Sequence, residues 1–128
     1  MKSLKSIMLL ILAWALVSGC VHTQPGGASS PQLSTLDRIS QRGELIVGTA
    51  GSMPPFNMTT KQGEVIGLEP DMAQLMAEEM IVTLRLEVMP FSELLPALKA
   101  GKIDLILSQM TITGKRNMAV AFVGPYFI

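Results

Sequence analysis

The sequence predicts an α/β fold, a mostly parallel sheet with helices on both faces. Three observations carry that expectation. From Ser34 onward, short apolar runs rich in β-branched residues alternate with stretches of helical periodicity, the order that produces parallel strands. Two of those runs, Glu44–Thr49 (ELIVGT) and Ile103–Leu107 (IDLIL), are apolar enough to be buried strands. A loop rich in turn formers or hydrogen-bonding side chains follows each of them, AGSMPPF after the first and SQMTIT after the second.

Each element has its own signal. Ser34–Gly43 (STLDRISQRG) opens on Ser/Thr, carries apolar Leu36 and Ile39, and stops at glycine, so it reads as a short helix. ELIVGT follows as a strand. Ala50–Met58 breaks regular structure with Gly51 and two prolines. Within Asn57–Ile66, the KQGE segment reads as the turn of a hairpin. Glu69–Met80 (EPDMAQLMAEEM) is the clearest helix. Pro70 suits its first turn and Asp71 complements the helix dipole. Met72, Leu75, Met76 and Met80 fall at helical spacing and are expected to face the core. Methionines at that spacing fill cores rather than bind copper. Thr83–Met89 alternates Leu84, Leu86 and Val88 against Thr83, Arg85 and Glu87, a strand with one more exposed face. Ser92–Ala100 is a helix with Ser92 as its N-cap and Gly101 at its stop. Thr113 caps a last short helix through Ala119. VAFVGPYF starts as a strand and breaks at Gly124–Pro125.

The N-terminus is organised differently. Lys2 and Lys5 precede an unbroken apolar run, Ile7–Val17, then Ser18, Gly19 and Cys20, the layout of a secretory signal peptide over residues 1–19. The run is short for a membrane span. LVSGC resembles the lipobox of bacterial lipoproteins, in which the cysteine is acylated and becomes the first residue, so Cys20 is the expected lipidation site and membrane anchor. Residues 20–33 are rich in Gly, Ser and Pro and read as a flexible tether. His22 is a solvated residue of that tether. The folded part is then residues 34–128.

Composition excludes several functions. The chain has 128 residues, 48% hydrophobic and 16% charged, room for one small ordered domain. Ten basic residues balance ten acidic ones, and Lys115–Arg116 is the lone adjacent basic pair, so no nucleic-acid footprint is visible. A single cysteine and a single histidine rule out an intrachain disulfide framework or a Cys/His metal site. No cofactor is expected.

Ligands of parallel α/β sheets bind beyond the carboxyl ends of the strands. The loops AGSMPPF and SQMTIT are therefore expected to share one rim. There, backbone N–H groups, the hydroxyls of Ser108 and Thr111 and the guanidinium of Arg116 would make an anion receptor, because arginine presents a planar fork that matches a carboxylate.

GLEPDMAQLMAEEM, ELLPALKAGKIDLILSQMTITGKRN and VAFVGPYF, in that order, resemble the extracellular solute-binding proteins of family 3, polar amino-acid receptors of bacterial ABC importers. The resemblance covers Leu45–Ile128. It implies the first lobe of a type II periplasmic-binding-protein fold, one of two lobes that close on a ligand. It also implies the roles. Arg116 makes the charged fork to the ligand's α-carboxylate, Thr111 a hydrogen bond, and Ser108, Gln109 and Met110 line the receptor loop. Phe91 forms a wall, and the loop containing Met53 and Phe56 closes the rim. The implied partners are a small carboxylate, most naturally an amino acid, and an ABC permease, in a periplasmic or other extracytoplasmic setting.

The sequence departs from that pattern in informative ways. Ala50 stands where many members carry an acid for the ligand's ammonium, and Met53 where many carry an aromatic. Gln109 replaces a usual Gly or Ser, and Gly114 a usual Pro. Family members run about twice this length, so a partial lobe offering half a site is expected, too little to enclose a ligand. Enzymes also use this fold, including cyclohexadienyl dehydratases and the binding module of lytic transglycosylases. They need an acid/base pair in the cleft. Here Glu69, Asp71, Glu78 and Glu79 sit on a helix, and no histidine follows residue 22.

Overall fold

A computed structural model describes residues 33–126. The signal peptide, Cys20 and the tether, apart from Leu33, lie outside the described residues. The elements are α1 (Thr35–Arg42), β1 (Glu44–Thr49), β2 (Ser52–Met53), β3 (Asn57–Thr59), β4 (Val65–Ile66), α2 (Leu68–Glu79), β5 (Thr83–Val88), α3 (Phe91–Lys99), β6 (Leu105–Ile106) and α4 (Gly114–Asn117).

β1 is the central strand of a parallel sheet of order β5-β1-β6. Its register runs from Glu44 opposite Thr83 to Thr49 opposite Val88 on one side, with Val47 and Gly48 opposite Leu105 and Ile106 on the other. The alternation of side chains along β1 splits the core in two. Leu45 and Val47 pack with Ile39, Ala73, Ala77 and Leu107, beneath α1 and α2. Ile46 packs with Leu94, Ala97 and Ile103, beneath α3. Gly48 lets that second layer close, since a Cβ there would overlap Ile103 and press on Leu94 at 3.0 Å. A separate antiparallel sheet, β2-β3-β4, carries the predicted hairpin. Helices on both faces of a parallel sheet are as the alternation implied.

α1 begins on a full capping box. Ser34 Oγ accepts the N–H of Asp37, while Asp37 accepts from the N–H of Ser34. At the amino end of the sheet, the Asp104 carboxylate has a side chain only 1% exposed. It pairs with Arg42 and accepts the Ile46 N–H at 3.0 Å, which is how an acid survives inside an apolar strand.

Five expectations need correcting. The buried strand read over Ile103–Leu107 is the two-residue β6, Leu105–Ile106, half-buried because it lies at the sheet edge with β1 on one side alone. The core face of α2 is Glu69, Pro70, Ala73 and Ala77, flanked by half-buried Met72 and Met80, whereas Leu75 (61% exposed) and Met76 (39%) point away. Small alanines win that face because they let the helix approach the sheet closely. Ser92 is not the cap of α3, which begins at Phe91 after Pro90 with no side-chain cap bond. Pro90, fixed at φ −52, already turns the chain into the helix. α4 ends at Asn117 rather than Ala119. Val120–Val123 forms no strand among the described residues, and Val123 is 91% exposed. A strand needs a neighbouring edge to take its ladder bonds, and among the described residues none pairs with this segment.

Candidate functional site

The carboxyl ends of β1 and β6 lie side by side, and two loops leave them. They are joined at once, because Ser108 Oγ, in a residue 1% exposed, accepts the N–H of Ala50 at 2.9 Å. Ser108 is thus a buried clasp between the loops.

Beyond it the chain turns through Gln109, which has φ 48, a left-handed conformation uncommon outside glycine. The Gln109 N–H donates to Glu69 Oε1 at 2.7 Å and towards the Tyr126 hydroxyl at 3.1 Å. Met110 is half-buried and packs against the cluster of Ile46, Leu94, Ala97 and Ile103. Thr111 is exposed, and its carbonyl accepts from Arg116 Nη1 at 2.9 Å. Thr113 Oγ1 caps α4 by accepting the Arg116 N–H at 3.3 Å.

Arg116 lies half-buried with its guanidinium 5.5 Å from the centre of the Phe91 ring. Such a contact contributes about 0.5–1 kcal/mol at an exposed site. One guanidinium nitrogen is held by the Thr111 carbonyl; the Nε–Nη2 edge has no hydrogen-bond partner among the described residues. The side chain is therefore steered by a ring below and a carbonyl behind, with its bidentate edge open.

The loop after β1 is anchored from a different direction. Asn57 is fully buried, and its Oδ1 accepts the N–H groups of Ser52 (3.0 Å) and Met53 (3.3 Å). Phe56 and Met53 are half-buried. The Phe56 N–H donates to the Met53 carbonyl at 2.9 Å, and the Phe56 carbonyl accepts the Glu69 N–H at 2.9 Å. The Pro54–Pro55 bond between them is cis.

Sequence reasoning missed the residue that links the two loops. Glu69, in the first turn of α2, is 1% exposed and accepts from Asn57 Nδ2, the Gln109 N–H and the Tyr126 hydroxyl. Tyr126 is pushed up to about 12, by burial first and then by its hydrogen bond to Glu69 and the charge there. Nothing in the sequence distinguished Glu69 from its exposed neighbours Asp71 and Glu78, since helical position alone does not reveal which loops converge on it.

The predicted receptor residues Ser108, Gln109, Met110, Thr111, Phe91 and Arg116 gather at the carboxyl end of β6 and the start of α3. Met53 and Phe56 reach them through Asn57 and Glu69. Cys20 is outside the described residues. Among those described, no group of His, Cys, Asp and Glu is suited to a metal, and no helix is long and apolar enough to cross a membrane.

Comparison with known proteins follows this geometry. The chain belongs to the bacterial extracellular solute-binding proteins, family 3, whose model matches residues 45–128. It is similar to the L-arginine-binding protein of Pseudomonas aeruginosa, 35% identical over 79% of this chain and 39% of that protein. It is also similar to the L-cystine-binding protein TcyJ of Escherichia coli, 29% identical over 97% of this chain and 45% of that protein. The chain thus spans less than half the length of these relatives. Among solved structures, the arginine-bound form of domain 1 from TmArgBP matches with a TM-score of 0.68 and 41% identity, covering 70% of this chain and 71% of that one. An ancestral cationic amino-acid solute-binding protein matches at 0.71 and 39%, covering 73% and 41%.

Proposed function

We propose that this chain forms the ligand-holding rim of the first lobe of an ABC importer's substrate-binding component, taking an amino acid or a related small carboxylate. The carrying observation is Arg116, aligned by the Phe91 ring and the Thr111 carbonyl with its bidentate edge unpaired among the described residues, beyond the carboxyl end of the half-buried parallel strand β6. The ligand's α-carboxylate docks on that edge. Thr111, Ser108, Gln109 and Met110 shape the loop beside it, Phe91 forms a wall, and Met53 and Phe56 bound the far side. The arginine-, cystine- and histidine-binding relatives support an amino acid. The arginine-bound form of domain 1 from TmArgBP, of which this chain covers 71%, supports an amino-acid ligand at the first lobe.

In a receptor whose second lobe closes over the rim, breaking a desolvated bidentate contact costs about 2–5 kcal/mol, on the order of 30-fold to several thousand-fold in affinity. Calorimetry of a version with the second lobe restored, with arginine, histidine and cystine and compared with its Arg116→Ala and Arg116→Lys variants, tests this. Both variants should lose most affinity for the best ligand, lysine offering a point charge instead of a fork. Binding within about threefold of the parent would remove the carboxylate-receptor reading.

The protein works outside the cytoplasm, tethered through a lipid on Cys20, and hands its ligand to a permease. LVSGC and the tether at residues 20–33 support that anchoring. Two acyl chains hold a protein on a membrane where one is marginal. Cys20→Ala should shift the protein from the membrane fraction to the soluble one; unchanged retention would count against the lipid.

An enzymatic reading draws on one neighbour, an ancestral cyclohexadienyl dehydratase at 31% identity and a TM-score of 0.70. The buried carboxylate nearest the rim, Glu69, is already engaged by three donors and 1% exposed, so it is poorly placed to exchange protons with a ligand. Transport is the better reading.

A further inference from the structure

The receptor loop does not hold its own shape. Gln109 carries a left-handed φ of 48 that disfavours any residue with a Cβ, and its side chain is exposed. What compensates is the bond from its backbone N–H to Glu69, at 2.7 Å. Glu69 has no cationic partner among the described residues, although it is 1% exposed. A buried carboxylate is a costly way to fill space when an apolar side chain would do it. Its two oxygens accept from donors on three separate stretches: Asn57, which itself holds Ser52 and Met53; Gln109, on the loop after β6; and Tyr126, beyond α4. Tyr126 bridges within the node, since its hydroxyl donates to Glu69 and accepts from the Gln109 N–H.

We infer that Glu69, braced by Tyr126, is the positioning residue of this rim. It fixes the Gln109 backbone, and through Asn57 the Ser52–Met53 backbone, so that both loops present one preorganised surface. Glu69 touches no ligand; it acts through the loops. Preorganisation raises affinity by removing the ordering that binding would otherwise demand. The affinity consequence rests on the receptor function proposed above, whereas the ordering of the loops does not.

The test separates the two. Amide hydrogen exchange is measured on the whole chain without ligand, for the parent, Tyr126→Phe and Glu69→Gln. Tyr126→Phe keeps the ring and deletes one donor; Glu69→Gln keeps the shape and turns one acceptor into a donor. Exchange of the Gln109 amide, which is bonded to Glu69, should quicken at least tenfold in both variants, while the amides of Leu45–Gly48 in β1 keep the parent's protection. Calorimetry with arginine should then show at least a fivefold loss of affinity. Unchanged exchange at the Gln109 amide overturns the inference. So does an equal loss of protection in β1, which would mean that the node merely supports the fold. Should Glu69→Gln fail to fold, Tyr126→Phe decides by the same criteria. Should the parent not bind arginine, the receptor reading is what suffers, and the exchange result still decides whether Glu69 positions the loops.

Discussion

Thr49 closes β1 at 1% exposure, and its hydroxyl has no hydrogen-bond partner among the described residues. A buried hydroxyl without a partner costs about 1–3 kcal/mol. Valine has nearly its shape, so Thr49→Val should raise stability in urea by roughly 1 kcal/mol. A loss of similar size would mean that the hydroxyl is satisfied, by water or by ligand. Tyr126 offers a cleaner reading because it is the one tyrosine in the chain. Its phenol is raised to about 12 in the folded state, against an ordinary value near 10. The folded protein therefore keeps a proton that the unfolded chain releases. The associated stability is complete below about pH 10 and is lost as pH rises towards 12. Tyrosinate absorbance should titrate near 12 in the native protein and near 10 in urea, and Glu69→Gln should move the native midpoint down. Coincident native and denatured curves would place the hydroxyl in open solvent.

At the scale of elements, α2 and α3 end in the same motif with different residues. In α3, Gly101 (φ 69) donates to the Leu98 carbonyl and Lys102 to that of Ala97. In α2, Ile81 (φ 56) donates to Glu78 and Val82 to Ala77, the same pair of bonds around a β-branched residue. Ile81 is 93% exposed, so its side chain returns little packing for the strain. Ile81→Gly should stabilise the protein by about 1 kcal/mol in urea denaturation, the left-handed penalty outweighing glycine's extra chain entropy. A destabilisation would mean that Ile81 packs in solution. The helix stop at Gly101 was legible from the glycine. The stop at Ile81 was not, because its strain is imposed by Val82 packing into the core beneath α2.

For the whole molecule, the described sheet has three strands and two edges, β5 and β6. β5 guards its edge with Arg85 and Glu87, paired at 2.8 Å. β6 presents Leu105 and Ile106 with no charge between them, and exposed Met118 (85%) and Val123 (91%) follow in the chain. We expect the chain by itself to self-associate through this side, with sedimentation mass rising as concentration rises. A monomeric mass with a sharp thermal transition that does not depend on concentration would show that the edge is covered.

The sequence by itself determined the alternation of strands and helices, the buried strand β1, the hairpin and the capped starts at Ser34 and Thr113. These follow from apolar periodicity and cap chemistry within a few residues of one another. It also determined that hydroxyls and an arginine collect after IDLIL, since position beyond a buried strand is a local property. Only the tertiary structure decided which face of α2 meets the core, because closeness of approach selected Ala73 and Ala77 over the larger Leu75 and Met76. It alone left Val120–Val123 without a ladder and held Arg116 against Phe91. And it alone made Glu69 the node of the rim. A carboxylate's burial depends on donors from Asn57, Gln109 and Tyr126, which lie 12, 40 and 57 residues away along the chain, and no local pattern records where such donors converge.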